Sequence, residues 1–147
     1  MTLIADIEQG LKEARLARDD ARRDALSLLL SALRSAEKDL QRPLSEDESL
    51  QVLQRERKKR VEALEAYRDA GRDEQAGVEQ HELDVIEEFM PDQLTEDELD
   101  EIVDDVIAEV GATSLRDLGR VMADVMPRVS GRADGSLVSQ VVREKLA

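Results

Sequence analysis

Hydrophobic residues recur every three or four positions along nearly the whole chain, and no stretch alternates like a strand for long, so the pattern predicts an all-α protein. Thr2 is placed to cap a first helix whose Leu3, Ile7, Leu11 and Ala14 share one face. A second helix carries Leu26, Leu29, Leu30, Leu33, Ala36 and Leu40 and stops at Arg42-Pro43; the two are expected to pack as a hairpin. Ser45 and Glu48 have the spacing of a capping box, in which hydroxyl and carboxylate satisfy reciprocal backbone donors. It opens a long third helix with Leu50, Leu53, Val61, Leu64 and Tyr67 as its buried stripe, interrupted by Arg57 and ended by Gly71. A fourth helix is expected from about Asp73 to Phe89, with Leu83, Ile86 and Met90 on its apolar side.

Pro91-Asp-Gln is the expected domain boundary, giving an N-terminal bundle of about four helices over residues 1–91 and a three-helix module over residues 92–147. Thr95 and Glu98 repeat the capping box, and Leu94 and Leu99 stand where a hydrophobic staple needs them. That helix runs through Ile102, Val103, Val106 and Ile107 to Gly111. Thr113 or Ser114 then caps a helix bearing Leu115, Leu118, Val121, Met122 and Val125. Pro127 and Gly131 are expected to stop and reverse the chain before Asp134 caps a last helix with Leu137, Val138, Val141, Val142 and Leu146. So small a module is marginal by surface-to-volume scaling and is expected to lean on the first domain.

Composition narrows the chemistry. With one Phe, one Tyr and no Trp, the core must be built from aliphatic side chains, and the lack of cysteine removes disulfides, thiolate metal sites and thiol nucleophiles. No apolar run approaches the roughly 18 residues of a membrane span, and the first residues lack a basic leader pattern; a cytoplasmic protein without membrane contact is expected. The net charge of −14 opposes general nucleic-acid binding. Its distribution is uneven: residues 92–109 hold nine acidic and no basic residues, whereas residues 110–147 hold six basic and four acidic. The acidic helix reads as a solvated face, with two sharper alternatives: a docking surface for a basic partner, or an intramolecular cover over the basic tail. A second basic cluster, Arg55 to Arg60, includes a stripe of Arg55, Lys58 and Lys59 near Glu62 and Glu65, which reads as salt-bridged surface.

Catalytic signatures are weak. His81, Asp84 and Glu88 share a helix face, but a lone histidine on an acidic helix is ordinarily a solvated residue, and Val78 stands where a second ligand three residues earlier would be needed. The five lysines lack the setting of a serine-amidase base, and the glycines at 131 and 135 lack the lysine and hydroxyl of a phosphate-binding loop. No catalytic residue, no metal and no cofactor is expected.

The remaining signal is the corner Gly131-Arg132-Ala133-Asp134-Gly135, where an arginine lies beside the open amides of a helix start, a combination that attracts phosphate or carboxylate. Taken in order, Tyr67-Arg-Asp-Ala-Gly-Arg-Asp73, Phe89-Met-Pro-Asp-Gln-Leu94, Val110-Gly-Ala, Met122 to Met126-Pro127 and this corner resemble the YqeY-like proteins of the GatB/YqeY family. The resemblance covers essentially the full chain and implies an N-terminal helical bundle followed by a three-helix domain. It also implies kinship to the tail of the B subunit of tRNA-dependent amidotransferases, glutamine-using carbon–nitrogen ligases that convert misacylated Glu-tRNA or Asp-tRNA. There the tail is associated with tRNA and the chemistry lies elsewhere. The motif of Gly, a basic residue, Ala and a small polar residue falls on Gly131, Arg132, Ala133 and Asp134. Kinship does not supply an active site. The expected function is therefore a non-catalytic, tRNA-binding-like accessory role carried by Arg116, Arg120, Arg128, Arg132, Arg143 and Lys145, with tRNA or amidotransferase subunits as partners. The alternative is an adaptor that binds another protein and no RNA, with Met122 and Met126 lining its groove.

Overall fold

A computed structural model describes residues 2–147, which form seven α-helices and one 3-10 turn and, among the described residues, no strand. The chain divides into two compact units, Met1–Pro91 and Asp92–Ala147.

The first unit contains α1 (Leu3–Leu16), α2 (Asp20–Leu40), α3 (Glu46–Asp69) and α4 (Asp73–Glu87). Thr2 caps α1 by accepting the Ala5 N–H at 3.1 Å, and Leu3, Ile7, Leu11 and Ala14 are buried as their spacing requires. They meet Leu26, Leu29 and Leu33 of α2 in the main core, which Val52 and Leu53 of α3 and Val85 and Ile86 of α4 complete. The capping box at Ser45 is present in both directions, and Arg42 grips the Glu48 carboxylate with two bonds of 2.8 Å. Arg42, together with the Ser45 N–H, lowers the pKa of that carboxyl to about 2.

Three sequence expectations in this unit need correction. Leu40 is exposed, because α2 reaches its last turn beyond the core. The buried stripe of α3 is not one line: Val52 and Leu53 join the main core, while Leu64 packs with Ala76 and Leu83 of α4 in a smaller cluster flanked by Val61 and Tyr67. The helix changes partners midway, near Arg57, whose Nε donates to Glu87 at 3.1 Å. Lastly, α4 ends at Glu87, and Phe89 and Met90 pack on the main core from outside the helix.

The second unit contains α5 (Glu96–Val110), a 3-10 turn (Leu115–Asp117), α6 (Leu118–Val129) and α7 (Gly135–Leu146). Its core is Leu99, Val103 and Val106 of α5, Val121, Val125 and Val129 of α6, and Val138, Val142 and Leu146 of α7. Valine is stiff at χ1 and an indifferent helix former, so packing rather than propensity holds these helices. Thr95 and Glu98 form the expected box, with Leu99 buried at the staple position.

Here too the structure departs from the sequence reading. Ser114 caps only the 3-10 turn, α6 begins at Leu118, and Leu115 is left exposed. Leu137 is exposed on α7. Pro127 lies inside α6, which continues to Val129. Proline there deprives the Ala123 carbonyl of its helical donor, but it stands in the last turn, and the fully buried Val125 and Val129 hold the chain helical around it. The reversal comes later, at Gly131, whose φ of 72° is the left-handed value glycine tolerates.

Candidate nucleic-acid interface

The corner between α6 and α7 is stitched to the segment that enters α5. The Leu94 N–H donates to the Arg132 carbonyl at 2.8 Å, and Gln93 Nε2 donates to the Gly131 carbonyl at 2.8 Å. Arg132 answers from its side chain, its Nε donating to the Asp92 carbonyl at 3.3 Å. Gly131 is buried, and Arg132, Ala133, Asp134 and Gly135 are half-buried. Asp134 caps α7, accepting the Ser136 N–H. One edge of the Arg132 guanidinium is thus fixed by a neutral main-chain acceptor, which orients the charge without cancelling it.

The other cations expected from sequence divide into two sets. Arg116 is exposed, and Arg143 donates through Nε to the Ser139 hydroxyl at 3.2 Å; like Arg132, neither has a carboxylate within ion-pair distance among the described residues. Arg120, Arg128 and Lys145 are paired. Arg120 donates to Asp117 at 2.9 Å, Arg128 to Glu109 at 2.5 Å, and the Lys145 ammonium lies 3.0 Å from Asp104 and 3.8 Å from Asp100. Asp117 also accepts the Thr113 N–H at 2.9 Å and the Ser114 N–H at 3.4 Å, and these bonds with Arg120 hold its carboxyl below the usual range. Glu109 raises Arg128 and Asp104 raises Lys145, each chiefly through its hydrogen bond.

Outside this unit the sequence candidates scatter. His81 is exposed beside a shallow groove between α2 and α4, Asp84 accepts from Gln80 at 2.8 Å, and Glu88 pairs with Arg22 at 2.6 Å. The three do not converge, and no group of metal-binding side chains occurs among the described residues. In the basic cluster of α3, the Lys59 ammonium lies 3.8 Å from Glu56. Met122 and Met126 are half-buried and pack against the valine core.

Two features lay beyond the sequence reading. Gln93 and the Asp92 carbonyl, which position the corner, are ordinary residues whose only signal was their place in the Phe89–Leu94 motif. Arg60, read as one of five basic neighbours, instead joins α3 to α4: its Nε is 2.8 Å from Glu82 and 3.8 Å from Glu79, all three side chains being less than one-fifth exposed. Burial pushes the Glu82 carboxyl up, against the pull of Arg60.

The profile of the Yqey-like protein family matches residues 4–146, nearly the full chain. The chain belongs to the Yqey-like protein family. It is also similar to the E subunit of the glutamyl-tRNA(Gln) amidotransferase of Thermococcus gammatolerans (strain DSM 15229 / JCM 11827 / EJ3), with 32% identity over 88 residues. That match covers 57% of this Yqey-like chain and 14% of its relative, so the chain spans only a small part of the larger protein. Among the described residues no helix is long and apolar enough to cross a membrane.

Proposed function

We propose that this protein is a non-catalytic accessory module that binds tRNA through the α6–α7 corner of its second unit, with Arg132 as the anchoring contact. The observation that carries the reading is the state of Arg132: half-buried, oriented by the Asp92 carbonyl, and, among the described residues, without a carboxylate in ion-pair distance, in a chain of net charge −14. A guanidinium in that position offers its remaining N–H groups to a phosphate, and its planar fork suits two phosphate oxygens at once. Arg116 and Arg143 supply further unpaired charge in the same unit. With no aromatic residue after Phe89, recognition rests on backbone and shape rather than base stacking. The likeness to one subunit of a glutamyl-tRNA(Gln) amidotransferase supports tRNA as the polyanion and that enzyme's subunits as a partner class. The role is cytoplasmic and needs no cofactor.

The test is a titration of bulk tRNA and of duplex DNA against the wild type and against the Arg116→Ala/Arg132→Ala/Arg143→Ala variant, at low and moderate salt. We expect tRNA to bind the wild type more tightly than DNA, with affinity falling steeply as salt rises and lost in the variant. Equal, weak binding of both nucleic acids by both proteins contradicts the reading.

A further inference from the structure

Helix α5 packs its Leu99, Val103 and Val106 against α6 and α7, and its opposite side carries most of the unit's acidic residues. Three of those carboxylates reach across to the other helices. Glu109 meets Arg128, 19 residues further along the chain, and Asp104 at 3.0 Å and Asp100 at 3.8 Å meet Lys145 near the C-terminal end of α7. None of the three carboxylates makes a further hydrogen bond to a described residue, and all are about half exposed or more. Asp117 differs: it holds Arg120 while also capping the 3-10 turn through two main-chain bonds, so it is fixed by the fold.

We propose that α5 is a built-in competitor for the polyanion, its Glu109 carboxylate occupying Arg128 and its Asp104 and Asp100 carboxylates occupying Lys145 in the free protein, and having to be displaced before those cations meet phosphate. This rests on the tRNA reading above and specifies how that site is regulated. Arg132, Arg116 and Arg143 are open from the start and make the first contacts. Once the polyanion is held there, its neighbouring phosphates act at high effective concentration on the paired cations, which a dissolved phosphate does not match. Each displacement frees a carboxylate next to the incoming backbone, and that repulsion holds affinity below what six basic residues would otherwise provide. Both pairs are solvent-exposed, so each opposes binding modestly, about twofold to fivefold in affinity.

The experiment measures tRNA affinity at several salt concentrations for the full-length wild type, the Glu109→Gln/Asp104→Asn/Asp100→Asn variant, and a control, Glu96→Gln/Asp97→Asn/Glu101→Gln. The control removes the same charge from the same helix, at exposed positions that touch no cation among the described residues. Thermal unfolding of all three checks that the fold is kept. We expect the Glu109/Asp104/Asp100 variant to bind roughly fourfold to twentyfold tighter, with the slope of log K against log salt steeper by about one to two, since Arg128 and Lys145 become available as phosphate contacts. The control should gain less than about twofold. A control that gains as much as the variant, or a variant with an unchanged salt slope, overturns the proposal while leaving tRNA binding intact. If no form binds tRNA, both this inference and the reading beneath it fall.

Discussion

Arg18 and Gln41 each adopt a φ of 57°, a left-handed backbone in which a side chain is strained. Both follow a helix that closes in the same way: Asp19 N–H to the Ala14 carbonyl at 2.9 Å after α1, and Arg42 N–H to the Glu37 carbonyl at 3.3 Å after α2. Gly71 and Gly111 occupy the equivalent place after α3 and α5. Glycine satisfies the motif without a Cβ penalty, so Arg18→Gly and Gln41→Gly should each raise stability by up to about 1 kcal/mol in urea unfolding. Glu48 gives a pH-dependent prediction. Its carboxyl is lowered from 4.5 to about 2, so its contribution is fully present above pH 4.5 and is lost as pH falls through about 2. Glu48→Gln should therefore lower the melting temperature most near neutrality, and the difference from wild type should shrink on acidification and vanish near pH 2. These residues also mark what a chain can disclose. The Ser45–Glu48 box was legible because both partners lie within one turn, whereas nothing in the letters around Arg18 announces a left-handed turn.

At the scale of elements, Val125 is fully buried between helices and follows no strong local preference for helix. Val125→Ala removes two methyl groups from a core without aromatics to fill the gap, and should cost about 2–3 kcal/mol by calorimetry. Gly77 is the converse case: it sits inside α4, exposed, with open space where a Cβ would be, so Gly77→Ala should stabilise the protein by about 1 kcal/mol. Helix positions, four of the caps and the apolar faces of α1, α2 and α5 could be read directly, since period and capping are local properties. The readings that failed are those where packing overrules local chemistry. Pro127 carries a strong stop signal that buried valines on either side outweigh, and Leu40, Leu115 and Leu137 fit a helical period yet stay exposed. The stripe of α3 was misdrawn because one helix serves two clusters, a fact about its neighbours that its own sequence does not contain.

For the whole molecule, the family was legible from five short motifs in order, while the state of the charges was not. Six cations looked alike in sequence; folding ties Arg120, Arg128 and Lys145 to carboxylates and leaves Arg116, Arg132 and Arg143 without one among the described residues. The Lys145–Asp104 pair joins two different helices across the second unit, a separation over which no spacing rule operates. Such sorting alters what the net charge means. An anionic protein can approach a polyanion through a local, correctly oriented group, provided the group is not already neutralised, at some loss of association rate. The measurement that bears most directly on this is the dissociation constant for tRNA of Arg132→Ala beside that of Arg120→Ala, both at low salt and with wild type as reference. Both variants lose one positive charge, so bulk electrostatics affects them alike. We expect Arg132→Ala to weaken binding about tenfold, the worth of a charge-assisted bond, and Arg120→Ala to weaken it by less than about threefold; equal losses, or no loss in Arg132→Ala, would contradict this reading.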